Sequence, residues 1–289
     1  MLNKTEDTKW LYEIKPKGKF IDLNFKEIWR YRDLLVLFIK RDIVTVYKQT
    51  VLGPLWYLIQ PLFTSVIFTL VFNNVAGIKI DGAPSFLFNL AGITLWTYFK
   101  ECLTNTSVTF ATNAGLFGKV YFPRVISPLS RILSGLFKYG IQLTIFIVFF
   151  LYYLLYKEKP ISVGSTIYLL PIAIATVAMF GLGVGMILSA FATKYRDVKI
   201  LISFGMQLLL YLSAVMYPLS LVKEKLSDYA WVVEYNPIAQ VIEAYRYMLL
   251  NVGQANMSGL WISFGLSILF VFLGLIVFNK TEKTFIDTV

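Results

Sequence analysis

Lys100 and Glu101 are the residues whose type and place could do chemistry in this chain, because they are ionisable groups inside a long apolar stretch. Such groups by default mark a pathway, a relay or an internal pair. Successive residues on a helix point about 100° apart, so the two are neighbours, not a facing pair. A helix break or a solvated cavity wall accounts for them equally well. Glu224 and Asp228 are four apart, which puts both carboxylates on one helix face. Glycoside hydrolysis uses two carboxylates, but in a polar segment two solvated acids are the simpler reading. Gly115-Leu-Phe-Gly118-Lys119 has the outline of a phosphate loop. That loop needs four residues between its glycines and Ser or Thr after the lysine. Here Leu116 and Phe117 alone separate the glycines, and Val120 follows Lys119. Gly181-Leu-Gly-Val-Gly185 looks like half a dinucleotide fingerprint, yet it lies inside an apolar run and not after a strand. Small residues at that spacing suit close helix packing. The chain has no histidine and its only cysteine is Cys102. Ser-His-Asp triads, Cys-His dyads, histidine-dependent zinc sites and an intrachain disulfide are therefore excluded, and no metal site is expected.

Composition then says what surrounds these groups. Of 289 residues, 57% are hydrophobic, 17% aromatic and only 15% charged. Soluble domains carry about 25% charged residues, so the balance points to an all-α polytopic membrane protein. The net charge is +10, and 11 of the 27 Lys and Arg precede residue 50. Beside apolar spans, this basic excess suits a cytoplasmic face on anionic lipid and not nucleic acid. The N-terminus has no short apolar core before a small-residue site, so the first span is expected to act as the insertion signal.

Residues 1–52 read as a cytoplasmic N-terminus and an amphipathic interface helix. In 24–50, Phe25, Ile28, Leu35, Ile39, Ile43 and Val46 recur at helical steps, with Lys26, Arg30, Lys40, Arg41 and Lys48 between them and Asn24 as N-cap. Residues 53–289 form the transmembrane domain. Six spans are expected, at about 53–76, 85–112, 126–156, 166–192, 199–217 and 259–278. Pro54 opens the first and Pro61 is expected to kink it. The Thr/Ser/Asn-rich second half of 85–112 must face protein or water. Segment 113–125 is a polar interruption, and 218–257 is polar with apolar patches too short to span. Lys and Arg concentrate in the N-terminal segment, in 113–131, in 194–199 and in the tail. Both termini and the 113–125 and 193–198 loops are therefore expected in the cytoplasm, and 218–257 outside.

Aromatic side chains stud the spans. Tyr57, Phe63, Phe68, Trp96, Tyr98, Phe204, Tyr211 and Tyr217 are candidates for a channel whose faces let sugar rings slide. Lipid-facing bulk and interfacial belts are the alternative.

A family resemblance rests on Tyr31-Arg-Asp-Leu-Leu35; Arg41-Asp42 with Tyr47-Lys48 and Val51-Leu-Gly-Pro-Leu-Trp56; Ala91-Gly92 with Leu95-Trp96; Asn113 with Lys119-Val-Tyr-Phe-Pro-Arg124 and Pro128-Leu129; Tyr195-Arg-Asp-Val198; Tyr217-Pro-Leu-Ser220; and Asn236-Pro237 with Glu243-Ala-Tyr-Arg246. In this order the chain resembles the membrane permease subunit of type-2 ABC exporters for polysaccharides, such as O-antigen, teichoic acid and capsule, from about residue 25 to the end. The charged Lys100-Glu101 departs from that pattern.

The resemblance implies that 113–125 contains a cytoplasmic coupling helix docking on a separate ATPase, and that 218–257 forms external re-entrant gate helices. It also implies two permease copies, each with an ATPase subunit, and a path lined by spans one and five. The chain has no Walker motif, so ATP and Mg would be bound by the partner, with no cofactor in this chain. The stretch has docking chemistry: a short helix capped by Asn113, apolar Leu116, Phe117, Val120 and Phe122 for a groove, and Lys119 and Arg124 for acidic rims. Arg41 and Lys48 are expected to attract a substrate pyrophosphate at the cytoplasmic mouth. The expected function is export of a lipid-linked, O-antigen-like polysaccharide across the cytoplasmic (inner) membrane. The alternatives are a small-molecule or drug exporter and a membrane-embedded glycosyl- or acyltransferase, against which the missing histidine argues.

Overall fold

The computed structural model describes residues 25–48, 52–156, 161–225, 228–253 and 257–285. The reading of residues 1–24 falls outside them. Every regular element among the described residues is helical. A short α1 (Phe25–Arg30) leads into α2 (Arg32–Lys48). A 3-10 turn at Gly53–Leu55 opens α3 (Trp56–Phe68), which runs through Pro61 and widens into a π-helical segment at Thr69–Val75. Then come α4 (Ser85–Ser107), α5 (Thr109–Phe117), α6 (Ile126–Tyr156), α7 (Leu170–Lys194) and α8 (Val198–Leu212). Three short helices follow, α9 (Leu219–Lys225), α10 (Ala230–Glu234) and α11 (Pro237–Leu250), before the long α12 (Met257–Phe285).

Among the described residues, four helices are long and apolar enough to cross a membrane: Trp56–Val75, Ile126–Tyr156, Ile167–Lys194 and Met257–Glu282. Several such helices in one chain mark a multi-pass membrane protein. α4 is a different kind of helix. Leu87 to Trp96 is buried without interruption, so polar groups there bond to protein instead of water. Asn89 donates its amide to Thr69 Oγ1 at 3.0 Å and Asn73 Oδ1 at 2.8 Å, where the π-helical segment widens α3. The Thr/Ser-rich half meets protein as expected, since Thr106, Ser107 and Thr109 are all buried. The helix breaks at Val108, however, so the 85–112 stretch is two helices and not one.

The α7 glycines explain how the core closes. A Cβ at Gly181 would lie 2.7 Å from Cys102 Cβ, and one at Gly185 would lie 2.6 Å from Thr106 Cβ, both on α4. A Cβ at Gly183 would lie 2.5 Å from Val271 N on α12. One Gly-x-Gly-x-Gly run thus admits two backbones on its two sides, as the packing reading of these residues expects. α8 ends at Leu212, before the expected boundary near 217. Its 15 residues span about 22 Å, short of the ~30 Å apolar core of a bilayer. α11 starts as its sequence dictates: Asn236 is the N-cap, its side chain accepting from Ile238 N, and Pro237 follows in the first turn. It ends at Asn251 in the left-handed region.

Candidate functional site

The 113–125 segment is built around aromatic rings, but they face inward. Phe117 packs on Phe110 at 6.0 Å and on Phe122 at 5.7 Å. Phe122 meets Phe38 of α2 at 5.7 Å, and Phe110 stacks on Phe278 of α12 at 4.5 Å. The Arg124 guanidinium lies 5.2 Å over the Phe117 ring and donates to the Glu282 carbonyl at 2.9 Å. Phe117, Phe122 and Arg124 are all buried. They fasten the segment to α2 and α12, and their buried side chains are not offered to a partner's groove or rim. Asn113 is also placed otherwise than expected. It lies inside α5, buried, and donates to Thr109 O at 2.9 Å instead of capping a helix start. The cap position belongs to Val108. Leu116 is half-buried. The outward part is Lys119, exposed, with Val120 53% and Tyr121 65% exposed. A rigid aromatic base therefore presents a short basic-apolar tip.

On α2, Arg41 pairs with Asp42 at 3.0 Å and stacks 4.6 Å over Phe38. Asp42 also reaches Arg131 of α6 at 3.4 Å. One carboxylate thus sits between two guanidiniums, leaving a positive excess where α2 meets α6. Lys48 is exposed at the end of α2. Deeper in, Glu101 is not an isolated charge: Lys138 of α6 holds it at 3.2 Å. The same ammonium lies 4.9 Å over the Tyr57 ring of α3, so three helices meet on one cation. Lys100 is exposed.

The eight aromatic candidates divide. Trp96 and Tyr98 are buried inside α4's packing, with Tyr98 5.4 Å from Tyr139, and they cannot line an open path in this arrangement. Phe68 is half-buried on Phe72, and Tyr57 is half-buried beside Lys138. Phe63 on α3 and Phe204 and Tyr211 on α8 are exposed. Tyr217 is half-buried and donates its hydroxyl to the Tyr211 carbonyl. The outward members of the eight lie on α3 and α8, while α6 and α12 also expose aromatics, among them Phe137, Tyr152, Trp261 and Phe272.

The other end of the molecule is locked by Arg246, which is fully buried. Its Nη1 donates to Ala214 O at 2.7 Å, Nη2 to Val215 O at 2.5 Å and Nε to Phe88 O at 3.2 Å. The guanidinium also lies 3.7 Å over the Phe88 ring. Asn236 donates to Leu212 O and Ser213 Oγ. The Leu212 carbonyl at the end of α8 is thus capped by an amide, and the carbonyls of the turn that follows, Ala214 and Val215, are held by a cation. Gly92 makes room: a Cβ there would lie 2.9 Å from Val215 O and 3.0 Å from Arg246 Cζ, with Nη2 nearer still. Ala214 takes a φ of 51°, a costly turn for a non-glycine residue. Glu243 sits one turn before Arg246, its Oε2 4.0 Å from Nη1.

The sequence profile described as ABC-2 type transporter matches residues 33–250, from the first turn of α2 to the last residue of α11. The chain belongs to the ABC-2 type transporter family. Similar proteins include two from Klebsiella pneumoniae named O-antigen export system permease protein RfbA. Each is 28% identical over 255 residues, covering 88% of this chain and 94% of the relative. A Myxococcus xanthus protein of the same name is 22% identical over 264 residues, covering 91% and 98%. In this ABC-2 type transporter, the fragments Ala91-Gly92, Tyr217-Pro-Leu-Ser220, Asn236-Pro237 and Glu243-Ala-Tyr-Arg246 read from the sequence as separate motifs. The structure joins them into one assembly at a single end of α4. Sequence reading missed the burial of Arg246 and the Lys138 partner of Glu101. Arg246 has one charged neighbour, Glu243, and nothing local shows that its carbonyl partners lie 31 residues or more away, while Lys138 lies 37 residues from Glu101. Gly92, spaced one helical turn from Phe88, was the usable signal of a close approach.

Proposed function

We propose that this chain is the permease subunit of an ATP-driven exporter that moves a lipid-linked, O-antigen-like polysaccharide outward across the cytoplasmic membrane. The observation that carries the reading is similarity along nearly the whole chain to permeases named for O-antigen export. Two copies pair, each with a cytoplasmic ATPase subunit that binds ATP and Mg. Both termini lie in the cytoplasm. α4 and α8 complete six membrane-embedded helices with the four long ones. α9, α10 and α11 form the external gate that re-enters the membrane from outside and finishes the crossing that α8 leaves short.

The energy arrives through the exposed tip Lys119-Val120-Tyr121. Phe117 and Phe122 form its stiff base, because a lever transmits force only if its root is packed. α2 and α12 meet that base through Phe38, Phe278 and Arg124, so ATPase closure moves both together. The exposed aromatic faces of α3 and α8, which include Phe63, Phe204 and Tyr211, line the path between the two copies. Flat rings offer contact to sugar faces without directional bonds that would arrest sliding. Arg41, Arg131 and Lys48 supply the positive mouth for the pyrophosphate linkage, as charges partly shielded from water attract anions most strongly.

The test is deletion of this chain in its native cell, with surface glycan and cytoplasmic lipid-linked glycan measured separately. Loss of surface glycan with accumulation inside is expected, and restoration needs both this chain and its ATPase. An unchanged surface glycan would overturn the reading. For the docking tip, Val120→Cys is expected to crosslink to the ATPase, whereas Phe117→Cys is not.

A further inference from the structure

Lys100 is exposed on α4, and the carboxylate beside it, Glu101, is already held by Lys138 of α6 at 3.2 Å. The three together keep one unbalanced positive charge. The faces of α4 say where that charge points. Cys102, Leu103 and Thr106 meet the glycines of α7, and Glu101 turns to α6. Lys100 and Thr104, one turn apart, point away from both sides. Asn89 shares their face, because eleven residues make three turns within about 20°. At Asn89 that face is shut. Asn89 is buried, and its amide bonds to Thr69 and Asn73 in the π-helical segment that continues α3. Val215, just past α8, comes up against Gly92 close by. Ile93 and Trp96 are buried as well. From Lys100 onward the face is open, with Ala111 and Thr112 also exposed. The course of α3 explains the change. Its last turns lead onto α4, but its first turn has swung to α6, where the Tyr57 ring lies 4.9 Å from the Lys138 ammonium. α8 stays on α4 and α7. A cleft thus separates α3 from α8, closed at the Asn89 end and floored by Lys100.

The charge pattern of this cleft repeats one already met. Arg131 stands seven residues before Lys138 on α6, two turns within about 20° and about 10 Å nearer the Lys119-Val120-Tyr121 tip. It shares Asp42 with Arg41. One face of α6 thus carries two clusters of the same make-up, each with two cations around one carboxylate. Two positive stations in series suit an anion that moves. The resident carboxylate keeps each from holding too tightly, and passage needs sites weak enough to leave. An ammonium acts on phosphate oxygens as a point charge, and cleft walls of low dielectric focus its field. Leu201 and Phe204, exposed on α8, suit a lipid tail joined to the same anion. We propose that Lys100 and Lys138 form a second phosphate station, which takes the phosphate of the lipid–sugar linkage after it has passed Arg41 and Arg131. This rests on the export reading. A phospholipid headgroup offers the same oxyanion, so the test separates the two sources.

The reporter is Thr104→Cys, one turn from Lys100, in the permease–ATPase complex in phosphatidylcholine nanodiscs without ATP; the native Cys102 is buried. Thr45→Cys, exposed on α2 one turn from Arg41, reports the first cluster. Labelling by uncharged N-ethylmaleimide is timed with and without farnesyl diphosphate. At about four times its Kd, the bound diphosphate slows labelling of Thr104→Cys about fivefold, and farnesol leaves the rate unchanged. Lys100→Met weakens binding about tenfold, the loss of one charge-assisted contact. Slowing at the same concentration then falls to about 1.4-fold. Lys100→Arg keeps the protection. Glu101→Gln removes the competing carboxylate and strengthens it, a change of opposite sign that a poorly folded variant cannot imitate. Protection of Thr45→Cys survives Lys100→Met. Absent protection of Thr104→Cys by the diphosphate overturns the station, and so does protection that ignores Lys100→Met. A loss that extends equally to Thr45→Cys also overturns it, since Lys100 would then act through the structure as a whole. Phosphatidylglycerol in place of phosphatidylcholine leaves the rates as they were. Slow labelling in phosphatidylglycerol before any diphosphate is added gives the site to headgroups and overturns it as a substrate station. An intact surface glycan in cells deleted for the chain would instead sink the export reading, so the two failures are told apart.

Discussion

Replacing Gly92 by alanine adds one methyl group to α4 at the point where Arg246 crosses it. That methyl would lie 3.0 Å from Arg246 Cζ and 2.9 Å from Val215 O, with Nη2 closer. Restoring a normal separation of ~3.5 Å pushes the guanidinium back by about 1 Å. The Nη2 bond to Val215 O, now 2.5 Å, then stretches past the ~3.2 Å limit of a hydrogen bond. Losing one bond to a charged group costs about 1.5–3 kcal/mol, and overpacking adds about 1–3 kcal/mol. The expected destabilisation is about 4 kcal/mol, or about 7 °C in Tm for a chain of this size. Cys102 is the assay: it is buried and is the only thiol, so a thiol-reactive dye reports unfolding without a label. Gly140→Ala is the matched control, because nothing lies within 4 Å of a Cβ there. Filling a helix-interior glycine in open space stabilises by about 0.5–1 kcal/mol. If Gly92→Ala melts with the wild type, Arg246 is not locked between α4 and the end of α8.

Other consequences follow from the same geometry. Phe122→Ala removes a buried ring shared by α2 and α5. It is expected to cost about 3 kcal/mol and to lower glycan export more than ATP hydrolysis, measured side by side in proteoliposomes. A double-mutant cycle with Lys138→Met and Glu101→Gln is expected to give a coupling near 1 kcal/mol, since the pair is partly exposed; a value near zero would make the contact incidental. Gly183→Ala sets a methyl 2.5 Å from Val271 N and is expected to lower Tm sharply, whereas Gly265→Ala on α12, with open space around it, leaves Tm within about 2 °C.

Periodicity and composition made the long elements legible. The aliphatic runs of α6, α7 and α12, the basic amphipathic α2, and the Asn236-Pro237 start of α11 all follow from local rules. Gly181, Gly183 and Gly185 read as packing residues and are. What stayed hidden depends on groups far apart in the chain. α8 stops at Leu212, where Asn236 takes its last carbonyl and Arg246 holds the turn that follows, and nothing local at 212 says so. Phe117 and Phe122 read as docking residues because a short polar interruption does not reveal that Phe38 and Phe278 fold over it. Trp96 and Tyr98 read as channel aromatics because the first half of α4, Phe86 to Phe99, is apolar on nearly every face, and that pattern cannot distinguish a central helix from a lining one.

The central claim is that ATP hydrolysis in a partner moves a lipid-linked glycan through this chain. Its most direct measurement uses inside-out vesicles holding the permease, its ATPase and lipid-linked glycan, with a glycosidase added outside. The account predicts that ATP makes the glycan resistant to the enzyme, and that resistance vanishes without ATP, without the ATPase or without this chain. Glycan that stays fully digestible while ATP is hydrolysed, or becomes resistant in vesicles lacking this chain, would contradict it.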